Sequence, residues 1–334
     1  MAAVPLSIFD LAFVGRDETV AESLAGSVEL ARSAERNGYR RVWYAEHHNI
    51  RSIASSATAV LIAHIAAHTE SIRLGAGGIM LPNHSPLVVA EQFGTLESLH
   101  PGRIDLGLGR APGSDQATAR ALRRTREAEE GFPEDVVELQ GLLGEKSPLP
   151  GIRAIPGYGT HVPLYMLGSS LFGAQLAATL GLPYAFASHF APAALEQAIE
   201  IYRAEFKPSE QLEKPHLMAG VGVVAAETEE IAREHLGVTR RSRAKSLFSR
   251  GERRLTDAEA EAILDSPQGA AVDEMLTYTA VGPAESVAAY LDRFQERTGA
   301  DELITVHYAP TLPGRVRSIE TLAAGAGLGD RSVA

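Results

Sequence analysis

Short apolar runs alternate with amphipathic stretches along almost the whole chain. Leu6–Ala12, Arg41–Glu46, Ile72–Ala76 and Ile104–Leu108 are too short and too apolar for helices and predict strands. Pro163–Leu167, Tyr184–Ala187, His216–Val224 and Glu302–Val306 continue the series. Between them, Thr19–Arg36 has helical spacing and stops at Asn37-Gly38. Ser55–His68, Pro86–Leu99, Ser170–Leu180 before Gly181, Pro192–Phe206 and Arg315–Ala323 also read as helices. Eight strands alternating with helices imply parallel pairing through right-handed crossovers, and eight strands close a (β/α)8 TIM barrel. A doubly wound open sheet is the alternative; the barrel is favoured.

Length agrees with that choice. The 334 residues exceed the roughly 250 of a minimal barrel, and no linker divides them, so residues 1–334 are expected to form one domain. Two segments break the repeat: 111–162 after the fourth strand and 227–282 after the seventh. From Arg233 to Arg254 the second carries eight Lys or Arg and two Glu, which suits either a solvated helical pair or a lid or partner-docking segment. Insertions after barrel strands fall on the face where active sites lie.

Composition narrows the partners. A formal charge of −11 disfavours nucleic acid or an anionic membrane, although it leaves room for a local cationic site. The absence of cysteine removes disulfides, thiolate metal sites and a thiol nucleophile, and it suits a reducing compartment. The first residues have no basic segment leading into an apolar one, and Ala57–Ala67 is too short to span a bilayer. The expectation is a soluble, cytoplasmic protein.

Four motifs at strand ends carry candidate chemistry. Glu46-His47-His48 places a carboxylate and two imidazoles where a barrel meets its ligand, making His47 and His48 candidate catalytic residues. Core packing is the alternative for each, above all for His48. Adjacent extended residues point oppositely, so the two histidines are poorly placed to share a metal, and no metal is expected. The adjacent Gly77 and Gly78 suit close approach to a flat ligand, with a plain turn as the alternative. Asp105-Leu-Gly-Leu-Gly-Arg110 imitates a dinucleotide fingerprint through Gly107, Gly109 and Gly113. Pro112 interrupts the would-be donor loop, however, and no acidic residue closes a later strand. Arg110 is better read as a cation for a phosphate. Gly168-Ser169-Ser170 opens a helix and offers N–H groups and hydroxyls to an anion, or in the plainer reading only a cap. A nucleophile elbow is disfavoured because Phe172 stands where its last glycine belongs.

Taken together and in this order, Glu46-His47-His48, Gly77-Gly78 before Leu81-Pro82, Pro101 to Arg110 and Gly168-Ser169-Ser170 resemble the bacterial luciferase-like flavin-dependent monooxygenases. Ala45-Glu-His-His-Asn and Met80-Leu-Pro-Asn-His-Ser-Pro make the chain most similar to a little-characterised bacterial branch. The resemblance implies a non-prolyl cis peptide at Gly77-Gly78 beneath the flavin ring. It implies His47 over the reactive C4a edge, and Arg110 with Gly168, Ser169 and Ser170 at the phosphate. The implied reaction joins reduced FMN and O2 in a C4a-peroxyflavin that oxygenates a small organic substrate, with reduced flavin delivered by a separate NAD(P)H:flavin reductase. Luciferase has cysteine where this chain has Gly109, which argues against light emission. Hydride transfer with F420 and non-catalytic flavin binding are the alternatives within the fold, and a metal-dependent barrel hydrolase is a weaker one. A homodimer is implied, with helices of the first half at its interface. Phe9, Trp43, Phe190 and Tyr308 are candidate pocket aromatics, and His84 and His189 could contact flavin or substrate or simply pack.

Overall fold

Nine parallel strands form one sheet in the computed structural model, which describes residues 4–15, 17–111, 115–249 and 253–329. Met1–Ala3 of the leader reading, Pro112 and Gly113 of the fingerprint-like run, and residues 250–252 of the basic segment lie outside the described residues. In chain order the strands are β1 (Leu6–Asp10), β2 (Arg41–Tyr44), β3 (Arg73–Met80), β4 (Ile104–Gly109), β5 (Leu164–Gly168), β6 (Tyr184–Phe186), β7 (Leu217–Ala225), β8 (Thr279–Gly282) and β9 (Glu302–His307). Strands β1 to β7 and β9 pair in a ring, closed by β6 with β7 and by β9 with β1. The predicted TIM barrel is therefore the observed fold. The sequence reading missed β8, which hangs outside the ring and pairs with the far half of β7 beyond the reach of β6.

Period-two alternation fills the barrel interior in layers. At the bottom, Arg41 Nη1 donates to Asp105 Oδ2 at 2.7 Å and to the Tyr165 hydroxyl at 2.8 Å, while its Nη2 donates to Glu302 Oε2 at 3.1 Å. Arg73 also pairs with Asp105, and the Ser7 hydroxyl donates to Glu302. Arg41, Asp105 and Glu302 are essentially inaccessible to water. Above them Trp43, Tyr165, Ala185, Met218 and Ile304 pack with Phe9 and Leu167. Gly107 faces this crowd: a Cβ there would lie 2.2 Å from the Ala76 carbonyl oxygen. Gly107, one of the glycines that imitate a nucleotide loop, is thus required by barrel packing.

Local chemistry sets most boundaries. Thr19 and Glu22 form a reciprocal capping box at the start of Val20–Arg36, and Gly181 takes φ +64 just past Leu171–Leu180. Ser55 does not begin the second helix, because its hydroxyl is spent on the Ala45 carbonyl and the helix is Thr58–Ala66. β3 runs on through Gly77 and Gly78 to Met80, four residues past its expected end. The 111–162 segment is less of an excursion than its composition suggests. Its helix Phe132–Leu143 buries Phe132, Val136, Leu139, Leu142 and Leu143 and packs on Pro86–Leu99, as a barrel helix does. Residues 284–298, for which the sequence reading predicted nothing, form the helix Ala284–Thr298.

Removing Arg41 would leave Asp105 to Arg73 alone and take from buried Glu302 its nearest cation. Arg41→Met should cost about 3–5 kcal/mol in urea unfolding, as for other broken buried pairs. Arg126→Ala, which breaks an exposed pair with Glu130, should leave the midpoint unchanged.

Candidate functional site

A cavity of about 1610 Å³ opens at the C-terminal ends of the barrel strands. His47, Gly77, Gly78, Arg110, Gly168, Ser169 and Ser170 all line it, so seven expected site residues from four strand ends meet in one space. Phe9, Trp43, His189, Phe190 and Tyr308 supply aromatic walls.

One side of the cavity is bare backbone. The Gly77-Gly78 peptide is cis, and the β3–β4 register shifts between Ala76 and Ile79 around it. A Cβ on Gly78 would lie 2.6 Å from the Gly107 carbonyl oxygen, and one on Gly77 2.9 Å from the Phe9 ring. No side chain fits at either position, so the wall stays flat.

A second side suits an anion. Ser170 is the N-cap of Leu171–Leu180, yet its hydroxyl makes no capping bond, leaving the first-turn N–H groups open at the positive end of the helix. The Tyr184 hydroxyl fixes this turn by donating to the Ser170 carbonyl at 3.1 Å. Arg110 lies 4.1 Å over the Phe172 ring, which holds the guanidinium beside the same turn. Phe172, noticed in the sequence only as a residue that spoils a hydrolase motif, is the ledge for that cation.

The histidines divide. His47 lines the cavity, and its backbone N–H donates to the Ser55 carbonyl at 2.9 Å. His48 and His84 do not line it; both direct Nε2 to the buried Glu46 carboxylate, at 2.9 and 3.0 Å. Asn83 Nδ2 and the Met80 N–H each add a bond of 2.9 Å to Glu46. Glu46 thereby ties the end of β2 to the end of β3 and the turn after it, a role its place in the sequence motif did not reveal. Burial alone would raise its pKa, but the bonds from His84, His48 and Asn83 outweigh that and hold it below the ordinary value. Among the described residues no group of three His, Cys, Asp or Glu side chains is placed to hold a metal ion. None of the described helices is long and apolar enough to cross a membrane.

A closed parallel barrel with a roomy, aromatic-walled cavity at its catalytic face, one end of it suited to an anion, defines an enzyme of the (β/α)8 class acting on small molecules. The chain belongs to the luciferase-like monooxygenase family, whose family model matches residues 4–302. It is 50% identical over 321 residues to the Bacillus subtilis (strain 168) protein YvbT, covering 95% of each chain. It superposes on apo-MsnO8 with a TM-score of 0.88 at 36% identity, covering 97% of this chain and 99% of that one. More distant structures share the fold alone. One is a type II Baeyer–Villiger monooxygenase of Pseudomonas putida in complex with FMN (14% identity, TM-score 0.72, 98% of each chain). Another is an F420-dependent secondary alcohol dehydrogenase (16% identity, TM-score 0.70, 97% of this chain and 99% of that one).

Glu46→Gln keeps the shape but removes the charge, and it should cost about 1–3 kcal/mol at pH 7. A carboxylate with a depressed pKa contributes stability above its unfolded value, 4.5, and loses it as pH falls through the lower folded value. The gap between wild type and Glu46→Gln in urea unfolding should therefore be full at pH 7 and close as the pH falls below 4.5.

Proposed function

We propose that the protein is a flavin-dependent monooxygenase that uses reduced FMN and O2 to oxygenate a small organic substrate. The observation that carries this reading is the meeting, in one cavity, of His47, the flat Gly77-Gly78 wall and the anion end at Arg110 and Ser170. These features fit FMN. A planar ring system needs a wall without side chains, a phosphate needs an open helix start with a cation, and 1610 Å³ leaves room for a second small molecule. When bound, reduced FMN supplies the electrons that activate O2.

The chain's own residues bind, orient and manage protons. Arg110, Gly168, Ser169 and Ser170 would hold the phosphate and so fix where the ring lies. Gly77 and Gly78 would support the ring face. His47 would hold or pass a proton at the reacting centre, since an imidazole presents a donor and an acceptor together. His48 acts through Glu46 as a positioning residue. Phe9, Trp43 and Phe190 keep water from the space between. The reading includes a cytoplasmic homodimer and a separate NAD(P)H:flavin reductase as the source of electrons, because the sequence carries no complete nicotinamide fingerprint and Gly107 is required by barrel packing.

Trp43 is the protein's one tryptophan and lines the cavity, so its fluorescence reports binding. Titration should give quenching by FMN at affinities well above those for F420, and a preference for F420 would overturn the cofactor assignment. Arg110→Ala should weaken FMN about tenfold or more and leave riboflavin, which lacks the phosphate, unchanged. His47→Ala should retain FMN affinity but cut product formation at least about a hundredfold; unchanged turnover would remove His47 from the chemistry.

A further inference from the structure

Three cations of the helix Glu229–Phe248 line the cavity: Arg241, Arg243 and Lys245. Two are already neutralised by the next helix, Asp257–Leu264. Arg241 pairs with Glu261 at 2.7 Å and Lys245 with Asp257 at 2.5 Å. Arg243 has no carboxylate partner among the described residues. Its guanidinium lies 5.2 Å from the centre of the Tyr308 ring, and the Tyr308 hydroxyl donates to the His189 carbonyl at 3.2 Å.

Asp17, Glu18, Glu22, Glu29 and Asp257 also line the cavity, none of them in an ion pair with Arg243. His189 also lines the cavity; its buried Nδ1 has no hydrogen-bond partner, and its ring packs 5.7 Å from Phe9. Burial, with a smaller contribution from the charge on Arg243, holds this imidazole's pKa down to about 3, so the ring is neutral near pH 7. Tyr308 follows β9 and Arg110 follows β4, which stand diametrically opposite in the ring of eight strands. Arg110 and Arg243 thus reach the cavity from opposite sides, with Phe9, Trp43 and His189 also in its lining. Arg110 is joined at its end by a helix N-terminus, which suits a phosphate. Arg243 is a single guanidinium with no carboxylate partner among the described residues, which suits a monoanion.

We propose that Arg243, oriented by Tyr308, recognises the carboxylate of a small organic acid whose apolar part lies against Phe9 and Phe190, and that this acid is the substrate. The proposal rests on the monooxygenase reading for calling the acid a substrate; the carboxylate preference itself stands on the cavity.

Calorimetric titration with hexanoate and its uncharged isostere hexanamide, with and without one equivalent of FMN, tests it. Wild type should bind hexanoate about tenfold more tightly than hexanamide, the worth of one charge-assisted hydrogen bond. Arg243→Met should abolish that preference while leaving hexanamide and FMN affinities unchanged. Arg243→Lys, which keeps the charge, should retain most of the preference and so separates loss of charge from loss of packing. Equal affinity for acid and amide in wild type, or a preference that survives in Arg243→Met, would overturn the proposal. Failure of FMN to bind a protein that still prefers hexanoate would overturn the monooxygenase reading and leave the carboxylate site standing.

Discussion

Everything above the barrel floor depends on one buried arrangement of charge, Arg41 between Asp105 and Glu302. Three ionised groups with almost no access to water are tolerable only when their hydrogen-bonding capacity is nearly filled. Tyr165, Arg73, Ser7 and the Trp43 indole complete the set. These side chains come from β1, β2, β3, β4, β5 and β9, so the network fixes the register of most of the ring at once. A one-residue slip of any of these strands would turn its member of the network outward.

That constraint reaches the site through Trp43. Its Nε1 donates to Asp105 at 3.1 Å, and its Cβ would lie 3.0 Å from a Cβ on Gly77. The charge network therefore positions the indole, and the indole helps dictate that β3 carry glycine where the cavity wall is flat. At the rim, Glu46 repeats the device on a smaller scale: a buried carboxylate drawing Met80, Asn83, His48 and His84 around itself. Polar order below and at the rim leaves the volume between them to aromatic and apolar surface.

Much of this was legible from local signals. The barrel follows from alternation of apolar runs and helices, and the Thr19 cap and Gly181 stop act within a few residues. The site motifs were legible because each follows a strand, and a parallel barrel delivers every strand end to one face. What escaped depends on distant partners. Nothing near Glu46 says that Asn83 and His84, 37 and 38 residues on, will bind it. Gly77-Gly78 reads as the end of a strand because glycine usually interrupts one, whereas here crowding by Phe9, Trp43 and Gly107 requires it inside β3. Arg243 is one of eight cations in a run, and that Arg241 and Lys245 beside it are paired is decided by where Glu261 and Asp257 sit on another helix. The four residues of β8 are hidden by the charged sequence before them.

β8 also changes what the 227–282 segment is. The chain leaves β7 at Ala225, and β8 ends at Gly282; those two residues are ladder partners in adjacent parallel strands. Neighbouring strands stand about 4.8 Å apart, so the segment begins and ends at nearly one point of the scaffold. It is a cassette clipped to β7 by backbone hydrogen bonds that do not depend on the side chains it carries. Exchanging it between relatives would replace the wall that holds Arg243 while leaving the ring, the Gly77-Gly78 wall and the Arg110 end in place. In this architecture, diversification of what the cavity accepts is separable from conservation of how the barrel is built.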